Sequence, residues 1–283
     1  NIAHGCNSVV ATRLGLKLGD IVVTEAGFGA DLGAEKFMDI KCRYAGIFPN
    51  VVVVVATLRA LKMHGGVAKT DLNTENVAAV EAGFSNLKKQ VENMRYFGVP
   101  VVVAINKFAT DTDAEIAKLT ELCQDFGVEV TLNECWEKGG QGGLDMARKV
   151  AELAETSNPT PKFTYDVKES IEDKINAIVR DIYGGTHAEF TPAAKKQIKE
   201  LVAWNLDKLP VCMAKTQYSL SDDPSKLGAP KDFRITVSDV RVAAGAGFIV
   251  CRTGNVMVMP GLPKHPAALN MDIESDGTIK GLF

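Results

Sequence analysis

Five consecutive valines, Val51 to Val55, constrain this chain more than any other stretch. The run falls far short of the roughly 20 apolar residues that span a bilayer. It also lacks polar alternation, so it reads as a central strand buried on both faces, as parallel sheets require. After Ala56 and Thr57 comes a basic, glycine-ended stretch with Arg59, Lys62, His64, Gly65 and Gly66. Open α/β sheets bind ligands just beyond the carboxyl ends of their strands, so the chemistry is expected there and at neighbouring strand ends.

Upstream, a helix capped by Asn7 or Ser8 is expected to run to Leu16, followed by a strand from Ile21 to Thr24 and a helix from Ala34 to Arg43. Downstream, Val77, Val80, Phe84, Leu87, Val91, Met94 and Phe97 recur at threes and fours, which predicts one long helix within Thr74 to Phe97. Pro100 then opens a buried strand, Val101 to Ile105, and Val128 to Leu132 makes another. These strand–helix alternations predict an α/β fold with a P-loop-related, doubly wound, mainly parallel sheet. Asn158-Pro159-Thr160-Pro161 reads as a boundary between that domain, 1–157, and a smaller α+β region, 158–283. The second region is expected to hold helices at Lys168 to Tyr183 and Pro192 to Leu209 and a strand at Phe233 to Val242. A hairpin of Phe248 to Cys251 with Val256 to Met259 and a tight turn at Asp276-Gly277 complete it.

A net charge of -3 excludes a broad phosphate-neutralising face, hence a nucleic-acid partner, and no window is apolar enough for a membrane span. Six cysteines are scattered without a CxxC pair and no secretory leader precedes them, so reduced thiols in the cytoplasm are expected. The opening without methionine predicts a piece cut from a larger fold.

Four strand-end stretches carry candidate chemistry. In Glu25-Ala26-Gly27-Phe28-Gly29-Ala30-Asp31-Leu32-Gly33, the glycines let backbone amides approach an anion at the following helix, and Glu25 either holds magnesium through water or is simply solvated. Asn106-Lys107 after a strand suits a purine-reading loop, with adenine favoured because Asp111 comes too late for a guanine-selective NKxD; Asn106 otherwise caps the loop. Phe108 and Trp136, on successive strand-end loops, either join the core or face each other around a flat heterocycle. Gly139, Gly140, Gly142 and Gly143 follow, giving up side-chain packing for a backbone that moves or lies against a ligand. His187, in Gly184-Gly185-Thr186-His187, has no partner at metal spacing and is read as part of a surface loop.

With these stretches in view, the chain resembles the carboxyl-terminal half of the formate–tetrahydrofolate ligases. Val55 to Gly66, VATLRALKMHGG, is similar to a signature of that family, with Leu58 where isoleucine or valine is usual. Asn106-Lys107-Phe108 with Thr110-Asp111-Thr112, Trp136 with Lys138-Gly139-Gly140, and the closing MPGLPKHPAA and GLF segments extend the resemblance end to end. It implies ATP-dependent formylation of tetrahydrofolate by formate through formyl phosphate, with Mg2+ and a monovalent cation, K+ or NH4+, as cofactors, in a homo-oligomer. It also implies that Phe108 and Trp136 hold the pterin, while Gly27, Phe28, Gly29, Asn106, Gly139 and Gly140 line the nucleotide and formyl phosphate cleft. The family's second, glycine-rich signature, its GEGKT-type loop and the arginine that holds formyl phosphate are absent from these residues. A phosphate loop supplies backbone amides and a lysine to the β and γ phosphates, so this polypeptide is expected to be inactive without an amino-terminal half that carries one. The alternative is a catalytically inactive folate- or nucleotide-binding partner subunit.

Overall fold

Ser8 caps the first helix, α1 (Val9–Leu18), its hydroxyl accepting from Ala11 N; the computed structural model describes residues 8–27, 29–254, 256 and 263–281. The expected strand at Ile21 to Thr24 is not formed. The segment is irregular, with Ile21 and Val23 exposed, because no described strand lies alongside to complete a ladder. Helix α2 covers 29–45 and includes two π-helical turns, Gly29–Ala34 and Phe37–Cys42, before its α-helical end at Arg43–Ala45. It starts five residues before the expected Ala34, so the second half of the glycine-rich loop is helix. Gly33 permits this, since a Cβ there would lie 2.2 Å from the carbonyl oxygen of Gly27.

The first sheet is built as β1 (Val52–Ala56), α3 (Leu58–His64), α4 (Val77–Tyr96), β2 (Val101–Asn106), α5 (Asp113–Asp125) and β3 (Glu129–Asn133), then α6 (Cys135–Lys138) and α7 (Leu144–Thr156). Its order is β1-β2-β3, all parallel, with Val52 beside Val101 and Asn106 beside Asn133. The chain is therefore α/β with a parallel sheet, as expected, but the valine run is not the central strand. Strand β2 occupies the centre, buried on both faces, while β1 lies at the edge with Val53 37% and Val55 63% exposed. Val102 and Ala104, in register beside these valines, are fully covered, while on the far side their β3 partners Glu129 and Thr131 are exposed and half-buried, so cover is complete only at the central strand. Asn76 caps α4, and a capping box of Thr112 and Glu115 starts α5. Helices α3 and α4 touch backbone to backbone: a Cβ at Gly83 would lie 1.9 Å from the Leu61 carbonyl oxygen.

The second half holds α8 (Ile171–Ala177, prolonged by a π turn at Ile178–Tyr183), β4 (His187–Phe190), α9 (Pro192–Ala203), β5 (Val211–Ala214), β6 (Arg234–Ala243), β7 (Phe248–Thr253) and a small hairpin of β8 (Asp272–Ile273) and β9 (Ile279–Lys280). The sheet order is β4-β6-β7-β5, with only β6 and β7 antiparallel. Three sequence expectations change here. Strand β5 was not anticipated, and it pairs with β7; of the expected Val256 to Met259 arm, Met257, Val258 and Met259 lie outside the described residues. His187 opens β4 instead of lying in a loop, because its backbone pairs with Arg234 while its side chain stays exposed. Helix α9 stops at Ala203, where Asn205 takes a left-handed φ of 57° that an L-residue seldom adopts within a helix.

One contiguous core runs through both sheets, from Val54, Val103 and Ile105 to Ile175, Val211, Ile235 and Ile249. Tyr165, just past the expected boundary, seals the join: its hydroxyl bonds both the N–H and the carbonyl of Val211 at the start of β5, at 3.1 and 3.4 Å.

Candidate functional site

The parallel register of β2 and β3 brings their strand ends together. Asn106 pairs with Asn133, the Lys107 N–H donates to the Asn133 carbonyl at 3.1 Å, and the Asn133 amide donates to Asn106 Oδ1 at 3.1 Å. Asn106 Oδ1 is thus fixed by the neighbouring strand end. One residue further, Lys107 Nζ meets Glu134 at 3.1 Å, and Glu134 also takes Lys138 at 2.7 Å. Hydrogen bonds from Lys138 and Lys107 hold the Glu134 carboxyl below its ordinary range. Glu134 was not among the sequence candidates, although its position one past the strand end, like that of Lys107, was a usable signal.

Above this bridge opens a cleft of about 390 Å³ lined by Phe108, Asp111, Asp113, Glu134, Trp136 and Glu137 among others. The two aromatics singled out from the sequence therefore share one cleft, and neither is core: Phe108 is 39% and Trp136 86% exposed. The Phe108 loop is shaped by Asp111, whose Oδ2 accepts from Phe108 N at 2.8 Å while its own N–H returns to the Phe108 carbonyl at 3.0 Å. Burial pushes the Asp111 carboxyl above its ordinary range, against the opposing Phe108 N–H. The guanidinium of Arg59 lies 5.7 Å from the Phe108 ring centroid, so the basic stretch after β1 touches the aromatic cleft through this one residue.

The other basic groups of that stretch are structural. Lys62 is fully buried, pairs with Glu115 at 2.9 Å and donates to the Thr74 carbonyl at 3.1 Å. Glu115 also accepts from Asn76 N at 2.8 Å and from Thr112 N, so the pair ties α3, the cap of α4 and the cap of α5 together. Burial opposes the charge on Glu115, but these donors outweigh it and leave the carboxyl below its ordinary range. His64 Nδ1 accepts from Gly228 N at 3.1 Å, and burial lowers its pKa.

Gly27 and Gly29 flank the start of α2, and Phe28 lies outside the described residues. Gly139 and Gly140 fall in a 3-10 turn, Gly139–Gly143, directly behind Trp136. Glu25 is exposed on the irregular segment before α2, and no three His, Cys, Asp or Glu side chains converge as metal ligands among the described residues.

A second polar cluster, missed from the sequence, joins α2 to α4. Asp31 pairs with fully buried Lys215 at 2.7 Å and accepts from Gln90 at 3.0 Å. One turn along both helices, Glu35 and Asn93 are both fully buried, and both ends of the Asn93 amide lack partners. A further turn on, Asp39 accepts from Thr164 N at 2.8 Å. Burial, then the charge of Asp39, pushes Glu35 well above its ordinary range, and burial lifts Asp39 to about 6 despite the Thr164 bonds.

A parallel α/β scaffold with an aromatic-walled, polar-floored cleft at adjacent strand ends belongs to the class of folds that bind small molecules at that position. The family is more specific than the class. The chain belongs to the formate–tetrahydrofolate ligases, whose family model matches residues 1–283, and that family's reaction is the ATP-dependent joining of formate to tetrahydrofolate. No described helix is long and apolar enough to cross a membrane.

Proposed function

We propose that this chain supplies the folate-holding part of a cytoplasmic, homo-oligomeric formate–tetrahydrofolate ligase that works through formyl phosphate with Mg2+ and a monovalent cation. The supporting observation is that Phe108 and Trp136, half exposed and fully exposed, line one cleft at the ends of adjacent parallel strands. In the proposed reaction a formate oxygen attacks the γ-phosphorus of ATP and ADP leaves. N10 of tetrahydrofolate then attacks the formyl carbon, phosphate departs and N10 loses its proton. The residues described here bind and orient the pterin and exclude water from the labile anhydride.

The phosphate loop is assigned to an amino-terminal half, on a chain of its own or on the same longer polypeptide. No Gly-Lys-Thr loop occurs in these 283 residues, and Lys62, the basic group best placed to substitute, is locked in a buried ion pair. The bare outer edge and half-bare face of β1 are suited to receive the sheet of that half. The unit 1–157 would then complete a doubly wound, P-loop-related domain, with 158–283 as its smaller companion. Isothermal titration with tetrahydrofolate on the chain and on Trp136→Ala tests the reading. Loss of about tenfold or more in affinity is expected from removing one stacking face, and unchanged binding refutes it.

A further inference from the structure

Of the lysines and arginines on the strand-end stretches of the first sheet, Arg59 alone is left without a counter-charge among the described residues. Lys107 and Lys138 both meet Glu134, and Lys62 is locked to Glu115. Arg59 stands half-buried on the first turn of α3, and its guanidinium has the Phe108 ring centroid at 5.7 Å but no ion pair and no hydrogen bond. The Asp111 carboxyl answers to burial first, then to the Phe108 N–H, and to Arg59 only last. A partly desolvated guanidinium with no partner is costly to keep in the free protein and offers a planar fork to an oxyanion. Its place in the sheet says which oxyanion. The strands lie in the order β1-β2-β3, roughly 4.8 Å apart, with their carboxyl ends on one side. The cleft sits over the β2 and β3 ends, and its lining holds anions off: Lys107 is neutralised by Glu134, while Asp111, Asp113 and Glu137 add carboxylates. On the reading above, the phosphate-binding half joins at the opposite side, along the outer edge of β1. A phosphorylated species passing from one to the other crosses the end of β1, where Arg59 waits.

We infer that Arg59 is a catalytic residue that holds the phosphoryl oxygens of formyl phosphate at the end of β1 while N10 of the folate attacks. This rests on the folate reading and on the join at β1 given above. As N10 adds to the formyl carbon, the bond from that carbon to the bridging oxygen breaks and its electron pair stays on the departing phosphate, which also takes the N10 proton. Negative charge grows on the phosphate during that step, and a guanidinium already in place stabilises it without rearrangement. Contact with the Phe108 ring keeps the fork beside the pterin stack, so one aromatic side chain aligns the nucleophile with the leaving group.

The test compares wild type, Arg59→Gln and Arg59→Lys in the assembled ligase, this chain together with its amino-terminal half. Arg59→Gln should lower kcat for 10-formyltetrahydrofolate formation by about a hundredfold to a thousandfold, the usual loss for one charge-stabilising group. It should also raise the inhibition constant of inorganic phosphate by about tenfold or more. Tetrahydrofolate affinity of the chain, by isothermal titration, should stay within about twofold of wild type. Arg59→Lys keeps the charge without the fork and should recover part of both kinetic losses. A kcat within about threefold of wild type in Arg59→Gln overturns the assignment. So does a loss of kcat with unchanged phosphate inhibition, and so does a loss of tetrahydrofolate affinity, which would make Arg59 only a prop for Phe108. Both variants should melt with the wild type, since Arg59 makes no ion pair. If Arg59→Gln fails to fold, wild-type kcat and phosphate inhibition in Arg59→Lys overturn the assignment instead. Trp136→Ala separates this from the reading beneath it. Unchanged tetrahydrofolate binding in Trp136→Ala refutes the folate reading, whereas weakened binding there with wild-type kinetics in Arg59→Gln removes Arg59 alone.

Discussion

Lys62 on α3 is structural, because its ammonium and Glu115 hold three element ends at once with neither group exposed. Removing one member strands the other's charge in the interior. Lys62→Met is expected to cost about 3–5 kcal/mol in urea unfolding, and the double variant Lys62→Met, Glu115→Leu to recover most of it. The sign with pH follows from the lowered Glu115 pKa: the pair stabilises the fold above the ordinary glutamate range and is lost as pH falls through the lower, folded value. The Lys62→Met deficit should therefore shrink in acid. Asp39 behaves in the opposite sense. Its folded pKa is lifted to about 6, so stability is fully present below the unfolded value near 3.8 and is lost as pH rises through 6. The stability of Asp39→Asn relative to wild type should climb by about 3 kcal/mol between pH 3 and pH 8, measured by denaturant unfolding at each pH. From the sequence, Lys62 and His64 were equally readable as chemistry or as scaffold, since a basic residue after a strand serves both. Lys62 is held by Glu115, 53 residues on, and His64 by the Gly228 N–H, and no spacing rule links either pair.

Elements were legible in proportion to how local their cause is. Helix α4 was readable because seven apolar residues repeat on one stripe and Asn76 caps it, and β2 because its apolar run is covered on both sides. Strand β5 was not, since Val211 to Ala214 has too few residues to show a period and is fixed by pairing with distant β7. Helix α2 was half readable. It is buried almost all round, so its 3.6-residue stripe disappears, and its π turns widen the helix in a way that no propensity encodes. The glycines at the α3–α4 contact act as shape rather than as hinges. Gly83→Ala would place a methyl group against the Leu61 carbonyl and should cost about 2–3 kcal/mol, read as a lowered denaturation midpoint with an unchanged slope.

At the scale of the molecule, five valines read as buried on two faces find cover on one, a discrepancy that the proposed phosphate-binding half would account for. Val55→Lys should leave thermal stability of the chain within about 0.5 kcal/mol, as for an exposed site. The same substitution should abolish formate-dependent ADP formation when the chain is mixed with that half. Retained activity would place the join elsewhere. The aromatic cleft was legible because its two rings stand on successive strand ends, whereas its acidic wall needed the turn that Asp111 makes with Phe108. The core shared by the two sheets also bears on biosynthesis. Ile40 of α2 packs with Cys212 of β5 and Phe248 of β7, so this part of the helix is covered only when strands some 170 residues and more further along the chain are in place. Until those strands arrive the helix exposes an apolar side, an aggregation liability that the finished fold no longer shows.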